Sequence, residues 1–178
     1  MRTILTLLLM STLCMAQDYT WRETLDAIRH IETGSYEHEG RGIKGDHGNA
    51  YGPYQIWLPY WTDSRMDYGT HALCLENKPY SELVVKGYML RYAKKCTIRL
   101  LNGEGTLADV ERVSRIHNGG PKGYTRISTR PYWEKIQKRL DTMRKAPPCV
   151  GCGVRTLLKN NDTPMCWPCF ADSLPEEI

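Results

Sequence analysis

Two carboxylates, a run of aromatic side chains and two closely spaced cysteine pairs are the parts of this 178-residue chain that could do chemistry. Glu32 follows Trp21 by eleven positions, about 20° round a helix of 100° per residue, so it falls on the apolar stripe that carries Leu25 and Ile28. A carboxyl there is poorly solvated, and the negative pole of the helix end repels its charge. Both effects raise its pKa, which suits a general acid. At a frayed helix end it would instead turn out to water. Asp46 lies among glycines, where short loops leave it solvated; an Asx turn would use the same side chain for its own backbone. One protonated carboxyl and one solvated carboxylate divide the labour of glycoside cleavage.

The segment after Asp46 carries Tyr51, Tyr54, Trp57, Tyr60 and Trp61, with Gln55 among them. Rings that stack on sugar faces and amides that bond sugar hydroxyls have this composition, and so do rings that fill a core. The candidate substrate-binding residues are Tyr54, Gln55, Trp57, Tyr60, His117 and Asn118. His117 ends a helical stripe begun by Val110 and Val113, a place that a capping or core histidine also occupies.

Four elements must position these residues. The first helix begins at Thr20, whose hydroxyl caps it while Glu23 reaches back, and ends at Gly34. A second is expected over Ser81–Lys95. A third starts at Thr106, with Asp109 three residues on, and stops at Asn118-Gly119-Gly120-Pro121. The last begins near Pro131 and shows Trp133, Ile136, Leu140 and Met143 on one face. Five glycines between Gly40 and Gly52 exclude a helix there and predict a twisted hairpin or tight loops. The layout is α+β, mostly α.

Residues 1–16 read as a secretory signal peptide: Arg2, an apolar run from Ile4 to Leu13, then Cys14-Met15-Ala16 before Gln17. The expected body is 17–145, and Pro147-Pro148 marks a linker to a Cys-rich tail, 146–178. Between residues 17 and 145 stand 21 Lys+Arg against 16 Asp+Glu, whereas 146–178 hold 2 against 4. A mildly basic body favours acidic partners and is too weakly charged to argue for nucleic acid alone. In an exported chain Cys74 and Cys96, the only cysteines of the body, are expected to form a disulfide bracketing the second helix. Cys149, Cys152, Cys166 and Cys169 have C-x2-C…C-x2-C spacing, that of a zinc ribbon holding one structural zinc, and two disulfides would use the same four sulfurs. The sequon Asn161-Asp162-Thr163 falls between the pairs.

Six strings occur in order along the body: Ile31-Glu32-Thr33-Gly34, Gly52-Pro53-Tyr54-Gln55-Ile56, Pro59-Tyr60-Trp61-Thr62-Asp63, Tyr88-Met89-Leu90-Arg91-Tyr92, Arg115-Ile116-His117-Asn118-Gly119-Gly120-Pro121 and Tyr132-Trp133-Glu134-Lys135-Ile136. Together they resemble the invertebrate-type lysozymes, the destabilase group, over roughly residues 21–140. The resemblance implies a lysozyme-like fold and cleavage of the β-1,4 bond between N-acetylmuramic acid and N-acetylglucosamine in bacterial peptidoglycan, with no cofactor for catalysis. It matches Glu32 to the family's acid and Asp46 to its second carboxylate. Asp63 matches another family aspartate, and His117 a cleft-lining histidine. The family's disulfide density is missing here. The serine that serves isopeptide cleavage in some members is replaced by Asn49-Ala50-Tyr51. A lytic transglycosylase acting through Glu32 alone, and a wall-binding protein without turnover, are the rival readings. An intracellular nucleic-acid binder led by the cysteine tail is a third, opposed by the leader.

Overall fold

The computed structural model describes residues 18–34 and 38–146, together with a short ladder in the tail formed by 159–160 and 163–164. The leader 1–16, the four tail cysteines and Asn161 lie outside the described residues.

Helix α1 (Trp21–Thr33) is bounded as its local chemistry requires. The Thr20 hydroxyl accepts the Glu23 N–H, the Glu23 carboxylate accepts the Thr20 N–H, and Gly34 closes the helix at φ 64°. Its inner face buries Leu25, Ala27 and Ile28. The glycine-rich segment forms three two-residue strands, β1 (Lys44–Gly45), β2 (Ala50–Tyr51) and β3 (Ile56–Trp57), antiparallel in the order β1-β2-β3. Tight turns join them, with Asp46 and His47 both at positive φ. Gly52 could be no other residue without rearrangement: at φ 66° a Cβ would lie 1.8 Å from the Cys74 carbonyl oxygen.

A short helix α2 (Leu58–Asp63) follows directly. The second long helix, α3 (Lys78–Tyr92), starts one turn earlier than the hydrophobic period suggests, because the Asn77 side chain caps the Tyr80 N–H and Pro79 occupies the first turn. It also ends sooner. Ala93 leaves helical geometry at φ −140°, and the chain restarts as α4 (Lys94–Leu101), which turns Cys96, Thr97 and Leu100 inward. Helix α5 (Leu107–Gly119) has the Thr106–Asp109 capping box, and Arg99 pairs with the same aspartate. Helix α6 (Arg130–Lys145) returns to α1, where the Arg144 guanidinium lies 3.7 Å from the Tyr19 ring centroid. The tail ladder pairs β4 (Lys159–Asn160) with β5 (Thr163–Pro164).

The core is one cluster that includes Leu25, Ile28, Tyr54, Ile56, Val84, Met89, Val113, Ile116, Ile136 and Leu140, so α1, α3, α5, α6 and the hairpin share a single interior. Cys74 and Cys96 are both buried and both free thiols, which corrects the expected disulfide. The fifteen residues of α3 stand between them. Cys74 packs against the start of α3, where its carbonyl accepts from the Ser81 hydroxyl at 3.0 Å, and Cys96 lies in α4, after the break at Ala93.

Candidate active site

Glu32 is the penultimate residue of α1, and its side chain, 18% exposed, faces a cavity of about 250 Å³. The hairpin forms the opposite wall with Asp46, Ala50 and Gln55. Trp57 and Tyr60, flanking the start of α2, and His117 and Asn118 at the end of α5 complete it. The structure therefore brings Glu32, Asp46, Gln55, Trp57, Tyr60, His117 and Asn118 to one place.

Tyr54 is the exception among the expected binding residues. Its ring is fully buried, and its hydroxyl donates to Glu82 at 2.9 Å on the far side, beside Arg22. What it supplies to the cavity is backbone: its carbonyl accepts from His117 at 3.1 Å. A tyrosine between Pro53 and the αL residue Gln55 is turned inward by the hairpin, and this corrects its expected contact with substrate. Asp63 also lies away from the cavity. Its carboxylate accepts from Tyr92 at 2.7 Å and from Arg91 at 3.2 Å, which ties α2 to α3.

The cavity's titratable groups are set by burial. Burial pushes the Glu32 carboxyl up to about 7, against the Tyr132 hydroxyl, which donates to Oε1 at 2.7 Å, and against the charge of Lys135. Burial likewise lowers His117 to about 4, so the imidazole is neutral at pH 7. A carbonyl oxygen can only accept, so His117 Nε2 carries the hydrogen it shares with Tyr54, and Nδ1 accepts from the Tyr60 hydroxyl at 3.1 Å. His117 Nε2 also stands 3.6 Å from Glu32 Oε1, but with a neutral ring this is a polar contact rather than an ion pair at neutral pH.

Asp46 is exposed, on a turn whose backbone is held by the Asn49 side chain, which donates to the Asp46 carbonyl at 3.0 Å. Gln55 spends its amide hydrogens on the Gly52 carbonyl at 2.9 Å and the Ile43 carbonyl at 3.4 Å. It shapes the hairpin that presents Asp46. Trp57, 44% exposed, and Asn118 offer the cavity's accessible ring and amide.

Two functional contacts escaped the sequence. Tyr132 reaches Glu32 from α6, and Tyr88 stacks on Tyr60 with ring centroids 3.6 Å apart. Tyr132 stands four residues before Ile136 and eight before Leu140, at the edge of the α6 apolar stripe. That stripe was the available signal for its inward position.

The body matches the family model described as Destabilase over residues 24–139. The chain belongs to the destabilase family. This destabilase-family chain is 35% identical over 100 residues to a lysozyme of Meretrix lusoria, a match covering 54% of the chain and 74% of that relative. It is 33% identical over 89 residues to lysozyme 1 of Crassostrea virginica, covering 50% of the chain and 44% of the relative. The chain thus spans from under half to about three quarters of those relatives. Its fold is similar to the crystal structure of an inhibitor-bound lysozyme from Meretrix lusoria, at TM-score 0.52 and 30% identity, covering 67% of this chain and 89% of that one. The lysozyme of Tapes japonica gives TM-score 0.51 at 29% identity, over 74% and 94%. Among the described residues of this family member no helix is long and apolar enough to cross a membrane.

Proposed function

We propose that this destabilase-family chain is a muramidase that hydrolyses the β-1,4 bond between N-acetylmuramic acid and N-acetylglucosamine in bacterial peptidoglycan. One observation carries the reading: a carboxyl that keeps its proton up to about pH 7 shares a cavity with an exposed carboxylate. The lysozyme relatives support the same substrate.

In this reading Glu32 gives its proton to the glycosidic oxygen as the bond from that oxygen to C1 breaks. The electron pair leaves with the oxygen, and positive charge develops at C1. Asp46 meets that charge, as a stabilising anion or by bonding to C1. Water then adds to C1, its proton returns to Glu32, and the product carries a reducing end. His117 stays neutral throughout and keeps its hydrogen on Nε2, so it holds the carboxyl's surroundings without competing for its proton. Trp57 and Asn118 contact sugar. The leader 1–16 directs export to where the wall polymer is found.

Turnover of purified peptidoglycan by wild type and Glu32→Gln tests the assignment. Removing the general acid should lower the rate about a hundredfold or more. Lysis by the variant near the wild-type rate would refute it. End-group analysis tests the water step: a 1,6-anhydro end in place of a reducing end would assign a lytic transglycosylase acting through Glu32 alone.

A further inference from the structure

A second concavity, of about 360 Å³, lies where α3 gives way to α4, facing α5. Its walls carry Tyr92, Lys94, Lys95, Arg99 and Arg112. Arg99 is committed to Asp109. Lys94, Lys95 and Arg112 have no carboxylate within ion-pair distance among the described residues, and all three are exposed. Ala93 is at once the C-cap of α3 and the N-cap of α4, so the two helix poles oppose each other there and the charge of the concavity is that of its side chains. Arg112 lies over the Tyr124 ring, 4.7 Å from its centroid, and keeps its charge; three cations without a carboxylate partner around one concavity make a field that selects an anion.

Position says which anion. Tyr92 of this wall is 4.8 Å from Tyr88, Tyr88 is 3.6 Å from Tyr60, and Tyr60 is 5.4 Å from His117, ring centroid to centroid, so the two cavities' rings lie within 14 Å of each other. A ligand held in one is close enough to be part of a polymer held in the other. The muramic residue that the proposed reaction acts on carries its peptide branch in amide linkage on the lactyl group, and the branch bears free carboxylates of its own.

We propose that this basic concavity is a subsite for the carboxylates of the peptide branches on the glycan substrate. The proposal rests on the muramidase reading for the identity of the polymer. It makes peptide-bearing wall a better ligand than bare glycan, through charge rather than through contact at the cleaved bond.

The test is a binding measurement that needs no turnover. The full chain carrying Glu32→Gln is titrated onto insoluble peptidoglycan freed of phosphate-rich polymers, with its peptides intact, and onto chitin, a β-1,4 glycan without carboxylates. Adding Lys94→Gln, Lys95→Gln and Arg112→Gln should weaken binding to the peptide-bearing material about tenfold, since three partly screened contacts together amount to that. Binding to chitin should change less than twofold, and salt should weaken the parent on peptidoglycan more than the variant. Lys94→Arg with Lys95→Arg keeps the charge and should retain parental binding, which separates lost charge from damaged fold. Equal affinity of the Gln variant for peptide-bearing wall, or equal loss on both materials, would overturn the subsite. Loss seen only on wall that retains its phosphate polymer would also overturn it, in favour of phosphate. Failure of the muramidase reading shows separately, as wild type that releases no reducing ends.

Discussion

The Tyr132 hydroxyl donates to Oε1 of Glu32 at 2.7 Å across a hundred residues of sequence, and it opposes the burial that keeps this carboxyl protonated. A donor to a carboxylate favours its charged form. Tyr132 thus holds the acid in place while restraining its rise.

Tyr132→Phe should raise the Glu32 pKa further above about 7, by about one unit. The alkaline limb of the activity profile should move to higher pH by that amount. A pH–rate profile of both proteins checks it. An unchanged alkaline limb, or one moved to lower pH, would contradict the role given to this hydrogen bond.

Glu32→Gln should stabilise the protein at neutral pH even as it removes activity. The folded carboxyl titrates near 7 and its ordinary value is 4.5, so between these values the native state binds more protons than the unfolded chain. Its contribution is complete below pH 4.5 and is lost as pH rises through 7, a swing of about 3 kcal/mol. His117, lowered to about 4, works in the opposite direction: its contribution is lost as pH falls below its ordinary 6.5. Comparing wild type with Glu32→Gln isolates the glutamate. Denaturant titrations should agree at pH 4 and favour the variant by about 3 kcal/mol at pH 8. Parity at pH 8 would show that Glu32 is not desolvated.

Asp46 and Asp63 should separate cleanly. Asp46→Asn removes the exposed carboxylate of the cavity and should lower turnover by about a hundredfold with little change in melting. Asp63→Asn weakens the bonds from Tyr92 and Arg91 and should cost about 1 kcal/mol of stability with turnover retained. Activity lost only in Asp63→Asn would transfer the second carboxylate's role to that residue.

Cys149, Cys152, Cys166 and Cys169 should hold one structural zinc, leaving no open position for water. Their paired spacing supports this. Native mass spectrometry should find one zinc and, after chelation and unfolding, six free thiols in the chain without its leader: these four with the buried Cys74 and Cys96. Two tail disulfides and no metal would refute the zinc site.

Much of the scaffold can be read from short stretches of sequence. The capping boxes at Thr20 and Thr106, the αL closure at Gly34 and the stripe of Ile136 and Leu140 each depend on residues within one or two helical turns. Local capping chemistry and residue spacing make them legible without reference to any tertiary contact. Glu32's place on an apolar stripe is legible for the same reason. So is Asp46's place among turns, since glycines at this density admit nothing longer than the two-residue strands found.

Tertiary packing decided the rest. Whether the Glu32 carboxyl turned outward or into a cavity depended on α5 and α6 closing over the end of α1 and bringing His117 and Tyr132 to it. Nothing near Tyr54 in sequence distinguishes a core ring from a binding ring; Glu82, 28 residues on, makes the difference by accepting its hydroxyl. Asp63, placed behind Asp46 as the second carboxylate, is tied down by Arg91 and Tyr92 of α3, partners that its own segment does not reveal. The cysteines of the body invited a bridge, and packing buries them as two separate thiols on either side of α3. Burial is a property of the assembled interior, and it sets both the protonation of Glu32 and the fate of each aromatic ring. Sequence therefore determined which groups could react, and only the packed helices determined which of them share a cavity and in what charge state.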